Sequence, residues 1–200
     1  MRLLLATSNP GKLREIRDLL ADVPVELATL ERWPGVSAPE ESGRTFQENA
    51  RAKALYYAAA TGELTVAEDS GLEIDALDGA PGVESARYGG VDSSYPEKFD
   101  LIYRALARRG DVSRQARFVC ALAVAAAGRI VFEARGTVEG EIASAPRGQG
   151  GFGYDPIFFY PPFGCTLAEA AHRKSEVSHR ARAFQALKAW LTADLVTSAS

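Results

Sequence analysis

The sequence predicts an α/β protein built on a mixed β-sheet flanked by helices. Two observations carry this. In the N-terminal half, β-like runs alternate with helical patterns. After Ala116, apolar runs follow one another with glycines between them, as in an antiparallel meander. No internal repeat, low-complexity block or linker interrupts the chain, so residues 1–195 are expected to form one domain, whose two lobes would share a continuous sheet. Residues 196–200 are expected to form a frayed tail.

The elements are justified in order. Arg2 to Thr7 is β-like and gives way to the turn SNPGK, then to LREIRDLL, whose Leu13, Ile16, Leu19 and Leu20 share a helical face. TFQENARAKALYYAAATG carries its own start and stop signals: Thr45 and Glu48 make a capping box, Phe46, Ala50, Ala54 and Tyr57 form a stripe, and Gly62 closes it. A strand over Leu64 to Glu68 and a second, short one over Leu72 to Leu77 are expected before DGAPG breaks the chain. Pro96 suits a first helical turn, and Phe99, Ile102, Tyr103 and Leu106 continue that helix until Gly110. ARFVCALAVAAAGRIVFEARGTVEGEIAS predicts long strands joined at Gly128 and again around Gly136. PIFFYP predicts a further strand, followed by a helix capped by Thr166 and Glu169 and a last helix around SHRARAFQALKAWL.

Composition sets the frame. The 200 residues are 46% hydrophobic and 24% charged, enough for a sizeable core. A formal charge of -3 argues against a protein that lives on nucleic-acid polymers or anionic membrane, where a basic surplus supplies most of the affinity. Cys120 and Cys165 are too few for a disulfide framework, and with His172 and His179 they make no zinc-like spacing. The opening apolar run breaks at Thr7, Ser8 and Asn9, short of a signal-peptide core, and no run approaches the roughly 20 apolar residues of a membrane span. The expectation is a cytoplasmic protein that binds neither membrane nor nucleic-acid polymer.

Several stretches carry chemistry. TSNPGK lacks the Gly and Ser/Thr of a P-loop, with Ala6 and Leu13 in their places. Asn9 nevertheless suits the cap of a helix whose first turn holds Pro10, Gly11 and Lys12, where backbone N–H groups favour an anion. A first-turn lysine opposes the helix dipole by about 0.3–1 kcal/mol, so Lys12 reads either as an anion's partner or as a solvated side chain. In LTVAEDSGLEI, Glu68 and Asp69 precede Ser70 and Gly71 at an expected strand end. Such carboxylates suit Mg2+, or are merely a solvated strand end. A second acidic pair, Glu40 and Glu41, stands in the loop before the capped helix and could supply another metal ligand. Asn49 and Lys53 share that helix's polar face, which solvation explains equally well.

GQGGFGYDPIFF lets the backbone approach a ligand closely, with Phe152 either a stacking surface or a core residue. HRKSEVSHRAR gathers Lys174, His179 and Arg180 near a helix start at Ser178, suited to phosphate or a base edge, or to a solvated basic face.

Taken together and in order, TSNPGK, TFQENARAKA, AEDSGLEIDALDGAPGVESARY, GGFGYDPIF and KSEVSHRARA resemble the inosine triphosphate pyrophosphatase family and its bacterial dITP/XTP pyrophosphatase members, from Leu3 to about Leu191. The resemblance implies hydrolysis of ITP, dITP and XTP to the monophosphate and pyrophosphate with Mg2+. It also implies an elongated mixed sheet, two lobes with a central cleft, and a homodimer. By motif, Thr7, Ser8, Asn9, Pro10, Gly11 and Lys12 would hold phosphates. Asp69 would be general base and metal ligand, with Glu40 sharing the metal. Ser70, Phe152, Gly153, Tyr154, Asp155, Lys174, His179 and Arg180 would complete the nucleotide site. Two departures stand out: Arg173 precedes Lys174 where relatives usually have an acid, and Glu68 stands where they often have Asp. The alternatives weighed against this reading are a non-catalytic nucleotide sensor and a pyrophosphatase for modified pyrimidine triphosphates.

Overall fold

The computed structural model describes residues 1–110 and 112–198, and side chains as far as residue 193. The strands are β1 (Arg2–Leu5), β2 (Glu26–Thr29), β3 (Leu64–Ile74), β4 (Gln115–Ala126), β5 (Arg129–Ile142), β6 (Phe158–Tyr160) and β7 (Cys165–Thr166). The helices are α1 (Pro10–Leu19), α2 (Phe46–Thr61), α3 (Tyr95–Arg109), α4 (Lys174–Val177) and α5 (His179–Ser198). The strands form one sheet in the order β2-β1-β3-β4-β5-β6-β7. β1 runs parallel to β2 and β3, whereas β6 is antiparallel to β5 and β7, so the sheet is mixed as expected. No helix among the described residues is long and apolar enough to cross a membrane.

The chain divides into two compact units. The first takes Met1–Asp69, Cys120–Gly136 and the chain from His179; the second takes Ser70–Val119 and Thr137–Ser178. In the first, Leu3, Leu5, Ile16, Val66, Leu122, Phe184 and Leu187 form the core, and Phe132 stacks on Trp190 at 5.1 Å. Helix α2 is capped as its sequence predicts, with Thr45 Oγ1 accepting from Glu48 N and Gly62 left-handed at φ 74°. The same helix buries Asn49 and Lys53 along with its apolar stripe, which the pattern of a solvated polar face did not anticipate. In the second unit, Leu72, Ile74, Phe99, Ile102, Leu106 and Phe158 form the core, with Phe118 stacked on Phe158 at 4.4 Å.

The structure departs from the sequence reading at five places. Strand β3 does not end at Glu68 but runs unbroken to Ile74, so the two carboxylates lie within a strand rather than at its end. Gly71 permits this: a Cβ there would fall 2.3 Å from Ser85 Oγ, the group that accepts from Leu72 N. Strand β5 likewise passes through Gly136 without a turn. A Cβ at Gly136 would meet His179 O at 2.1 Å and Ala183 N at 2.7 Å, so this glycine admits the start of α5. The helix expected after Thr166 stops after its cap. Thr166 and Glu169 do exchange backbone-to-side-chain bonds of 2.8 and 3.3 Å, but Ala168 O accepts from Gly150 N and Ala168 N donates to Asp155 O. Those bonds replace helical ones, and a turn leads instead to the short α4. Strands β2 and β7 carry too little pattern to be read in advance. Helix α5 continues to Ser198, into the expected tail, of which residues 199–200 lie outside the described residues.

Candidate active site

In the first unit the turn Thr7–Lys12 folds as its residues dictate. Asn9 Oδ1 accepts from Gly11 N at 2.9 Å and Lys12 N at 3.1 Å, Thr7 Oγ1 accepts from Asn9 N, and Pro10 opens α1. Ser8, Asn9 and Pro10 are exposed. Because the cap takes up two first-turn N–H groups, the attraction of this turn for an anion rests on the helix dipole and on Lys12. The Lys12 ammonium lies 3.3 Å from Glu68 Oε1.

Successive residues of a strand face opposite ways, and Glu68 and Asp69 accordingly serve different neighbours. Glu68, 3% exposed, receives Arg180 Nε at 3.0 Å and Nη2 at 2.9 Å on Oε1, and the Cys120 thiol at 2.8 Å on Oε2. Arg180, 1% exposed, also pairs with Glu15 of α1. Burial pushes the Glu68 carboxyl up, but the charges of Arg180 and then Lys12, with hydrogen bonds from Arg180 and Cys120, hold it well below the usual carboxylate range. The Cys120 thiol is pushed far up by burial and by the adjacent Glu68 charge.

Asp69 is buried against α2. Its Oδ2 accepts from Asn49 Nδ2 at 2.9 Å, and its Oδ1 lies 3.6 Å from Lys53 Nζ. Asn49 in turn accepts from Gly43 N at 2.8 Å, which holds the loop carrying Glu41, and Glu41 Oε1 accepts from Lys53 Nζ at 2.6 Å. Burial raises the Asp69 carboxyl, against the opposing charge of Lys53 and the Asn49 hydrogen bond. Glu40 is exposed and has no hydrogen bond or ion pair among the described residues. The acid placed beside Asp69 is therefore Glu41, one residue along. Among the described residues no group of three or more His, Cys, Asp or Glu side chains forms a metal cluster.

In the second unit, Asp155 is 1% exposed, and its Oδ2 accepts from Lys174 Nζ at 2.7 Å and from Phe152 N at 2.9 Å. The Lys174 ammonium sits 4.4 Å from the Phe152 ring centroid. Gly151, at φ 71°, is required here, since a Cβ would lie 2.1 Å from Asp155 Oδ2. Gly153 shares that backbone conformation, while Tyr154 is an anchor: buried, its hydroxyl donates to Ser85 O at 2.8 Å. Ser70 is half-buried in β3. Arg173, the unusual neighbour of Lys174, pairs with Glu176 and lies 4.0 Å over the Phe163 ring.

The first unit thus brings Lys12 and Arg180 together on Glu68, sets Asp69 against Asn49 and Lys53, and buries His179 at the start of α5. The second brings together Phe152, Asp155 and Lys174. Sequence reasoning missed Glu15 and Cys120 as partners, named Glu41 only as half of an acidic pair, and left Asn49 and Lys53 open between solvation and ligand binding. The shared face of Asn49 and Lys53 was legible from their spacing of four residues, but not that it is buried.

The sequence profile of the Ham1 family matches residues 3–190. The chain belongs to the Ham1 family. Among its Ham1-family relatives, a dITP/XTP pyrophosphatase from Exiguobacterium sp. is 45% identical over 94% of this chain and 96% of the relative. One of the same name from Gloeobacter violaceus is 50% identical over 92% of this chain and 91% of its own. A HAM1 protein structure from Coxiella burnetii superposes with a TM-score of 0.90 at 39% identity, covering 96% of this chain and 98% of that one. The motif resemblance read from the sequence therefore holds across the chain.

Proposed function

We propose that this Ham1-family protein hydrolyses deaminated purine nucleoside triphosphates, ITP, dITP and XTP, to the nucleoside monophosphate and pyrophosphate. The single observation that supports a catalytic reading most strongly is Asp69: a buried carboxylate oriented by Asn49, faced by Lys53, and raised by its burial. A carboxyl so tuned suits a general base. The names of the relatives supply the substrate class.

In this reading water attacks the α-phosphorus while Asp69 takes its proton. A bond forms between the water oxygen and phosphorus, the α–β anhydride bond breaks, and pyrophosphate leaves with the bridging oxygen. Lys12, at the dipole-positive end of α1, holds phosphate oxygens. Arg180, pinned between Glu68 and Glu15, acts as a positioning group, keeping Glu68 within reach of Lys12. Residues Thr7–Gly11 shape the turn, and His179 supports the start of α5. Taken by itself, the second unit presents the Phe152 ring and the Lys174 ammonium, a pair suited to an aromatic base or an anion, with Asp155, Gly153 and Tyr154 setting the loop.

The donor set also fits Mg2+, which takes one or two hard carboxylates. Glu41 and Asp69 would hold it, since both already flank one cation, the Lys53 ammonium. When bound it would neutralise charge on the phosphates.

The test is pyrophosphate release from ITP with Mg2+, compared with ATP and GTP, on the wild type and Asp69→Asn. Release from ITP in preference to ATP and GTP, abolished in Asp69→Asn while nucleotide binding persists, supports the reading. No release, or near-normal turnover in the variant, overturns it. The homodimer is proposed on the resemblance alone, and a solution mass near the single-chain 21.5 kDa would refute it.

A further inference from the structure

Lys53 is an unusual tenant for a carboxylate pair. It projects from the middle of α2, is 9% exposed, and places one nitrogen 2.6 Å from Glu41 Oε1 and 3.6 Å from Asp69 Oδ1. Asn49 fixes the rest of the arrangement. Its Nδ2 holds the other Asp69 oxygen and its Oδ1 holds the Gly43 N–H, so the loop carrying Glu41 and the strand carrying Asp69 are both tied to the same helix that presents the ammonium.

We propose that Lys53 is the resident counter-cation of the Glu41–Asp69 pair, and that its ammonium and a divalent cation occupy this place alternately in the nucleotide-free protein. The inference rests on the reading above that these carboxylates hold a metal. Mg2+ binds carboxylate oxygen at roughly 2.0–2.1 Å in a near-octahedral shell. An ammonium 2.6 Å from the same Glu41 oxygen occupies space that this shell requires, and its charge repels the incoming ion. Lysine suits such an exchange, because its charge is a compact point at the end of a flexible four-carbon stem. Asn49 does not have to move, so the carboxylates stay in place while the cation changes. The displaced ammonium then needs a new anion, and a polyphosphate supplies one. Metal should therefore bind weakly to the protein alone and more tightly once pyrophosphate is present, a positive coupling to which Lys53 adds beyond direct metal–phosphate attraction.

The experiment is Mn2+ binding to the full-length protein without nucleotide, measured by calorimetry or by electron paramagnetic resonance. It compares wild type, Lys53→Met and, as a site control, Glu41→Gln. Lys53→Gln replaces the methionine variant if the latter does not fold. Removing the ammonium should tighten Mn2+ binding by at least about fivefold, the lower end of ordinary site-to-site coupling, and should reduce the enhancement that added pyrophosphate produces in the wild type to what direct metal–phosphate contact supplies. Equal or weaker Mn2+ binding in the Lys53 variant overturns the exchange while leaving the metal assignment standing. Absence of any Glu41-dependent Mn2+ binding in both proteins overturns the metal assignment, and the exchange falls with it.

Discussion

Replacing Glu68 with Gln would remove the charge on which Arg180 and Lys12 converge while keeping nearly the same volume. In the folded protein this carboxylate takes two Arg180 bonds of 3.0 and 2.9 Å on Oε1 and the Cys120 thiol on Oε2, with both ion-pair partners almost wholly out of solvent. Solvent screening therefore offers little relief. Breaking a buried ion pair by removing one partner costs about 3–5 kcal/mol, and because Arg180 keeps Glu15 as a partner the lower end of that range applies. For a chain of this length each kcal/mol moves the melting temperature by about 2–4 °C, so a fall of roughly 6–12 °C is expected. The assay is urea and thermal unfolding followed by tryptophan fluorescence, for which Trp190, stacked on Phe132 in the same unit, is a local reporter.

The pH dependence sharpens the test. The Glu68 carboxyl is depressed in the folded state, so its stabilisation is present above the ordinary value of 4.5 and is lost as pH falls toward the folded value. The gap between wild type and variant should accordingly be full at pH 7 and shrink below about pH 4.5. A gap under about 1 kcal/mol at neutral pH, the size of an exposed pair, would refute the buried-network argument. So would a gap that stays constant down the acid range.

Two further outcomes are expected. The Asp69 carboxyl is raised by burial, and its ionised form is the base, so kcat/KM for ITP should fall with decreasing pH along a limb centred above the ordinary 3.8; a limb at or below that value contradicts the role. Gly136→Ala should lower stability by about 1–3 kcal/mol, the range for an overpacked site, because the new methyl meets the backbone of α5. Thermal melting checks this, and an unchanged melting temperature would mean that the approach at Gly136 is looser than the structure shows.

What the sequence revealed follows from the range of the interactions involved. Local signals were legible: Asn9 as a cap, the Thr45–Glu48 box, Gly62 as a helix stop and Pro96 in a first turn all depend on residues within four positions of one another. Gly71 and Gly136 misled, because their purpose is to admit backbone or side chain from elsewhere in the chain, and a glycine making room for a distant neighbour looks the same in sequence as one making a turn. The same limit applies to the site. Asp69 and Lys12 stood out by motif, but that Glu41 pairs with Lys53 depends on a loop held by the bond from Gly43 to Asn49. Adjacent acids in a loop carry no sign of which one turns inward. Thr166 shows the converse: its local cap is present, yet tertiary bonds to Ala168 outcompete the helix it announces.

The Arg180 guanidinium, paired with both Glu15 and Glu68, also orders events in time. Both acids precede their shared counter-charge in the chain, Glu68 by 112 residues and Glu15 by 165. Until that charge is made, the growing N-terminal segment carries two carboxylates that want water, which delays their burial. Burial of both acids in this unit therefore waits on one side chain of α5.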